Sequence, residues 1–207
     1  MSKIISLTGF IGSGKDTVAD HLINKNFEQF SFSSSLKDTL SIIFQWDREM
    51  LEGKTKESRK WRDEVDNWWA DRLDIPELTP RFMLRYFGTE VCRNNLHEDI
   101  WVANVEKRIE SSTTNIVISD CRYPNEFNII KKCNGILIHV KNDEYPDWYH
   151  IALAANKGDI QAKLYLDNKD IHSSEYSWIG TKFDYIIENT GTIKELYKKV
   201  DKIIQVL

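Results

Sequence analysis

Three stretches of this sequence combine residue types and spacings suited to handling phosphate. The first is GFIGSGKDT, Gly9–Thr17. Gly9, Gly14 and Lys15 fit the pattern G-x-x-x-x-G-K, directly after an apolar run and before a segment of helical spacing. In such a loop the glycines turn backbone N–H groups inward around phosphate oxygens. A helix N-terminus adds its positive end, and the lysine reaches the outer phosphates. Gly12, Ser13, Gly14, Lys15, Asp16 and Thr17 are therefore the expected holders of a nucleotide's phosphates. Asp16 stands where Ser or Thr is usual. Three readings stay open: Asp16 approaches a Mg²⁺ ion through water, Thr17 supplies the metal-binding hydroxyl, or Asp16 is simply a favourable charge in a first helical turn.

The second stretch is IVISDCRYPNEF, 116–127. An apolar strand ending in Asp120 puts a carboxylate on the rim where parallel sheets bind ligands, within reach of the waters of a metal ion beside the glycine loop. Arg122 points the same way if the chain stays extended, and Glu126 falls in the first turn of the next helix. The competing reading is a charge network that only holds the strand end; a costly cluster of charge at a ligand rim favours function. The third stretch is LTPRFMLRYFGTEVCR, 78–93. Thr79 and Pro80 read as helix cap and first helical residue. Arg81, Arg85 and Gly88 then share a face at i, i+4 and i+7, a ledge for an anionic ligand, while Met83, Phe87 and Val91 look like core. The bland alternative is a solvated basic face, but a mid-helix glycine costs about 1 kcal/mol relative to alanine. All nine arginines lie before Asn125, seven of them between Arg59 and Arg108. Their planar, permanently charged forks suit phosphate oxygens.

Weaker signals are read more plainly. Lys37 opens a helix and is as plausible a phosphate contact as a solvated one. Trp61, Val65, Trp68 and Trp69 form a helical stripe, read as packing ahead of base stacking. Trp101 is open to either role. His172–Ser173–Ser174–Glu175 is a polar loop near the ligand or a helix start.

These residues need a frame to position them. Apolar, β-branched or aromatic runs at 3–8, 28–33, 115–120, 135–141 and 183–189 read as buried strands. Helical segments follow at Asp16–Asn26, Leu36–Phe44, Asn125–Cys133 and Thr192–Val206. This alternation predicts a doubly wound α/β fold on a parallel sheet. Residues 46–112, with about three helices, and 142–180, with a helical pair (Asp147–Asn156, Asp159–Leu166) separated at Gly158, read as insertions.

With 207 residues, 41% hydrophobic and 29% charged, the chain fits one globular domain with insertions. A net charge of −4 argues against a nucleic-acid partner or a polybasic membrane patch. No apolar run approaches the roughly 20 residues a bilayer span requires. The three cysteines, Cys92, Cys121 and Cys133, have no metal-ligand spacing and are expected as reduced thiols of a cytoplasmic protein.

SGKDT (13–17), SSLKD (34–38), EGKTKESRKWR (52–62), TPRFMLRYFGTEVCR (79–93), DIWV (99–102), SDCRYPNE (119–126), HSSE (172–175) and FDYIIENTGTIKELY (183–197) together resemble the phage-type deoxynucleoside monophosphate kinases. They run in that family's order over nearly the whole chain. The family is a branch of the P-loop nucleoside monophosphate kinases and tolerates Asp after the loop lysine. The resemblance implies a P-loop NTPase three-layer sandwich with a five-stranded parallel sheet. Its core would be 1–45, 113–141 and 181–207, with a monophosphate-binding insertion at 46–112 and a lid at 142–180. It implies transfer of phosphate from ATP to a deoxynucleoside monophosphate, with Mg²⁺ near Asp16, Thr17 and Asp120. Lys15, Asp120 and Arg122 would be catalytic. Lys37, Arg59, Arg81, Gly88, Trp101, Arg122 and Glu126 would meet the monophosphate. A homodimer and, for a viral gene, the host cytoplasm are further expectations. The 142–180 stretch departs from the wider pattern by containing no arginine, only Lys157, Lys163 and Lys169. The rivals are another P-loop small-molecule kinase, such as one acting on dephospho-coenzyme A, and a non-catalytic nucleotide-binding regulator.

Overall fold

A computed structural model describes residues 2–142 and 145–207; Met1, Asp143 and Glu144 lie outside the described residues, the last two within the expected lid. Among the described residues five strands form one parallel sheet: β1 (Ile4–Thr8), β2 (Phe27–Phe30), β3 (Asn115–Ile118), β4 (Ile136–Lys141) and β5 (Tyr185–Glu188), in the order β2-β3-β1-β4-β5. β1 is central: Ile5 is in register with Val117 on one side and Ile136 on the other. All five of its residues are buried, as expected of a strand covered on both faces. Strand order reverses around β1, so the loops after β1 and β3 leave the sheet side by side at its C-terminal rim.

The helices are α1 (Lys15–Ile23), α2 (Ser34–Phe44), α3 (Arg48–Glu52), α4 (Lys56–Trp61), α5 (Asn67–Leu73), α6 (Pro80–Arg85), α7 (Ile100–Ser111), α8 (Pro124–Lys132), α9 (Tyr149–Asn156), α10 (Ile160–Asn168), α11 (Ser173–Tyr176) and α12 (Ile193–Val206). A π-helix, Tyr86–Asn94, continues α6. The chain divides into two compact units. One contains residues 1–31 and 106–207, the other 32–105.

In the first unit Leu22 and Val18 of α1 and Leu196, Val200 and Ile203 of α12 pack with Ile5, Leu7, Val117 and Ile138 of the sheet. α12 starts on a capping box, in which Thr192 Oγ1 accepts from the Glu195 N–H and the Glu195 carboxylate accepts from the Thr192 N–H. The pair α9 and α10 meets at Gly158, whose φ of +98° lies in the left-handed region. His172–Glu175 opens a helix, with the His172 ring capping α11 at the Ser174 N–H, and Ser174 and Glu175 also face the cavity described below.

In the second unit the expectation of about three helices undercounts. Asp47, Thr55, Asp66 and Thr79 each cap a new helix by accepting from an N–H two or three residues on. These restarts break the chain into short pieces around Leu40, Leu51, Leu78 and Trp46. Asp66 also divides the tryptophan stripe. Trp61 ends α4, whereas Trp68 and Trp69 belong to α5. Trp61 and Trp69 pack on the core with Phe44 and Trp46, while Trp68 stays exposed. Thr79 and Pro80 take the predicted cap and first-residue positions of α6. No helix among the described residues is long and apolar enough to cross a membrane.

Candidate active site

The glycine loop is held from both sides. A Cβ on Gly9 would lie 2.2 Å from the Val140 carbonyl oxygen and 2.6 Å from Ser13 Oγ, so glycine alone fits where the chain leaves β1. Gly12 and Gly14 have φ of +83° and +95°. Asn189 Nδ2, at the end of β5, donates to the Ser13 carbonyl at 3.0 Å. Gly14 then caps α1, with the Val18 N–H donating to its carbonyl. Lys15 is largely buried and lies 3.7 Å from the carboxylate of Asp16, which itself projects into solvent. Thr17 is half-buried on the same first turn. Ser13 is part of the scaffold: its N–H donates to the Phe10 carbonyl at 3.1 Å and its hydroxyl is buried without a partner.

Lys15, Asp120 and Arg122 open onto one cavity at the rim of the first unit, together with Gly9, Ser174 and Glu175. Asp120 accepts a hydrogen bond from Ser31 Oγ at 2.6 Å. Arg122 Nη1 donates to the Glu175 carboxylate at 3.2 Å and to the Ser174 carbonyl at 3.3 Å. The lysine-only stretch therefore meets the arginine through a carboxylate. Glu126 does not line the cavity. It is buried, and its carboxylate accepts from the backbone N–H groups of Arg122 and Tyr123 at 2.7 and 3.0 Å. Its position in the first turn of α8 makes it the clamp that shapes the loop carrying Arg122, correcting the expectation that it touches ligand.

The second unit reorders several expected ligand contacts. Gly88 is no ledge. The π-helix replaces the i+4 repeat with i→i+5 bonding, which breaks the stripe expected from Arg81 and Arg85. Gly88 is buried, and a Cβ there would lie 2.8 Å from Leu36 Cδ2, so the close approach it permits is that of α2. Its carbonyl accepts from Trp101 Nε1 at 3.0 Å, which fixes Trp101 as a core residue. Arg81 pairs with Asp63, and the Arg81 N–H donates to the Arg62 carbonyl at 2.9 Å. Arg59 is exposed, near the Lys54 carbonyl. Burial and then the neighbouring Arg81 lower the pKa of the Arg62 guanidinium, which lies against Gly53.

Lys37 is not a free cation: its Nζ is 2.7 Å from Glu52, which Arg48 also holds. Burial pushes the Glu52 carboxyl up, but Lys37 and Arg48 outweigh it and leave it below the usual carboxylate range. A depressed folded pKa gives stability that is fully present above the unfolded value of about 4.3 and is lost as pH falls through the folded one. Urea midpoints of the native chain should therefore fall between pH 6 and pH 3 by more than those of Glu52→Gln. Equal falls in the two proteins would remove Glu52 from the acid sensitivity.

Sequence reading missed Ser31, Asn189, Asp63, Glu52 and Glu175 as partners of the expected groups. Asn189 had a usable signal, a polar residue directly after an apolar strand at the C-terminal rim of the sheet. Glu175 had one in the polar HSSE segment, whereas Ser31, Asp63 and Glu52 had none, being remote in sequence from the groups they meet. Cys92, Cys121 and Cys133 are free thiols, and burial pushes that of Cys121 well up. Among the described residues no group of three His, Cys, Asp or Glu side chains could hold a metal ion.

A parallel sheet with a glycine-rich loop and lysine after its central strand defines an α/β protein of the P-loop kind. Residues 71–200 match the model of the deoxynucleotide monophosphate kinase family, and the chain belongs to that family. It is 28% identical over 211 residues to the "Putative deoxynucleotide monophosphate kinase" of Acanthamoeba polyphaga mimivirus, covering 95% of this chain and 93% of the relative. It is 28% identical over 186 residues to the deoxynucleoside-5'-monophosphate kinase of Escherichia phage T5, covering 66% and 74%. A dephospho-CoA kinase of Lactobacillus acidophilus is 24% identical over 212 residues, covering 99% and 96%. The chain is thus a kinase.

Proposed function

We propose that the protein transfers the γ-phosphoryl group of ATP to the phosphate of a deoxynucleoside monophosphate, giving ADP and a deoxynucleoside diphosphate. The observation that carries this reading is the single cavity shared by Lys15, Asp120 and Arg122. An oxygen of the acceptor's phosphate attacks the γ-phosphorus, the bond from that phosphorus to the β–γ bridging oxygen breaks, and ADP leaves. The attacking oxygen is already ionised near neutral pH, so no general base is needed and catalysis is positioning and charge neutralisation. Gly12, Gly14 and the start of α1 hold the ATP phosphates, and Lys15 neutralises charge on the outer ones. Arg122 orients the phosphoryl group and the acceptor, exchanging Glu175 for phosphate oxygens.

The residues assigned to the metal, Asp16, Thr17 and Asp120, offer oxygen donors only, and Asp120 lines the cavity beside Lys15. They suit a hard cation such as Mg²⁺, which takes one or two carboxylates and draws its other ligands from water and phosphate. Bound there, Mg²⁺ would neutralise charge on the nucleotide phosphates. Net charge −4 fits small nucleotides better than nucleic acid as partners, and we place the reaction in the cytoplasm.

The test is a coupled ADP-release assay over a panel of deoxynucleoside monophosphates and their ribose counterparts. Release that depends on one or more deoxynucleotides is the expected result. The likeness to a dephospho-CoA kinase makes dephospho-coenzyme A the necessary control acceptor. Turnover with that acceptor alone would move the protein to the other kinase class, and slow ADP release indifferent to every acceptor would make it a regulator.

A further inference from the structure

The residue after the first loop glycine, Phe10, is not used by the reaction above, yet it is the centre of an aromatic cluster. Its ring centroid lies 6.1 Å from that of Tyr145, 5.7 Å from Trp148, 6.4 Å from Tyr149 and 4.7 Å from Trp178, all at edge-to-face angles. Tyr145 and Tyr149 stack on each other at 4.2 Å. These residues come from both ends of the segment between β4 and β5: Tyr145, Trp148 and Tyr149 lead into α9, and Trp178 follows α11. The two ends are tied to each other, because Asn156 Nδ2 donates to the carbonyls of Tyr176 and Ile179, each at 2.8 Å.

The cluster connects to the cradle at more than one point. Phe10 supplies the carbonyl that receives the Ser13 N–H and so closes the turn of the loop. Trp178 is buried and also packs beside His139, at 5.1 Å between ring centroids. His139 Nδ1 is 3.2 Å from the Thr8 carbonyl, at the end of β1 where the loop begins. Trp178 thus touches the loop at Phe10 and, through His139, the strand that feeds it. Ile11, the next residue, is 81% exposed, so Phe10 is the point at which the tip of the loop is fastened.

We propose that Phe10 is a positioning residue through which the segment 145–178 sets the shape of the ATP phosphate cradle. An aromatic plug of this kind keeps the backbone N–H groups of the loop aimed inward before nucleotide arrives, so less ordering is left to binding. The segment lacks arginine but acts on the phosphates indirectly, by fixing the loop that holds them. The inference rests on the reading that this loop binds ATP.

Calorimetric titration with ATP–Mg²⁺, without acceptor, compares the native chain with Phe10→Ala, Phe10→Leu and Phe10→Tyr, alongside thermal unfolding and steady-state kinetics. Phe10→Ala should weaken ATP binding about tenfold and lower kcat, while KM for the monophosphate changes less than about twofold. Phe10→Tyr, which keeps the ring, should restore ATP binding to within about threefold of native. If Phe10→Ala does not fold, Phe10→Leu decides: weaker ATP binding supports the proposal. A leucine variant that melts earlier but binds ATP as the native chain does overturns it, because the ring then serves stability alone. Equal losses of ATP and monophosphate affinity also overturn it. A native chain that binds no ATP overturns this inference and the proposed function together, whereas native binding with unchanged binding in every folded variant overturns this inference only.

Discussion

Arg122→Lys is expected to lower kcat by about 10²–10³-fold while leaving KM for ATP within about threefold. The guanidinium is half-exposed at the rim and already makes two contacts through one nitrogen, to the Glu175 carboxylate and the Ser174 carbonyl. Those partners mark where acceptors of hydrogen bonds can sit: a carboxylate oxygen stands 3.2 Å away, where a phosphate oxygen would compete for the same donor. Lysine keeps the charge but loses the planar fork, so it can neutralise an oxyanion without orienting it. In the proposed reaction ATP binding draws mainly on the glycine loop and Lys15, which the substitution leaves in place. Steady-state kinetics with both substrates varied gives the answer. Equal losses in kcat and in ATP affinity would show that Arg122 belongs to the donor site and has no special part in transfer.

Lys15→Met should be more damaging still, with kcat/KM for ATP falling by about 10³-fold or more. Methionine keeps an unbranched apolar stem of nearly lysine's length, so the loop loses charge with little loss of volume. Stability should hardly change, because the ion pair to Asp16 is 3.7 Å long and its carboxylate is exposed, and such pairs are worth about 0–1 kcal/mol. The combination of near-native thermal unfolding and lost turnover separates this variant from a damaged loop. A Lys15→Met protein that retains a third or more of native kcat/KM would remove the lysine from the outer phosphates.

The α/β frame was readable because parallel strands covered on both faces must be continuous apolar runs, and helices between them must carry a stripe. IISLT, NIVI and ILIHVK are such runs, and each became a strand. The glycine loop was readable for a related reason: positive φ at Gly12 and Gly14 and the crowding at Gly9 are demands only glycine meets. The strand expected to end at Asp120 stops at Ile118, and Asp120 and Arg122 follow it onto the cavity that Lys15 also lines. Gly88 misled. Its mid-helix position suggests room for a ligand, but the room is filled by Leu36, and the π-helix that turns it inward has no local signature. Trp101, open to either role by sequence, takes its place from a carbonyl thirteen positions away.

By itself, the order of residues determined what depends on neighbours in the chain: strands from apolar runs, helix starts from Thr79, Pro80 and Thr192, and a tight loop from spaced glycines. Tertiary structure alone decided which charges are already satisfied. Lys37 with Glu52, Arg81 with Asp63, Arg122 with Glu175 and Glu126 with the backbone of its own loop are settled by approach in space. An ion pair depends on distance and burial, and neither quantity is written in the sequence separation of its partners.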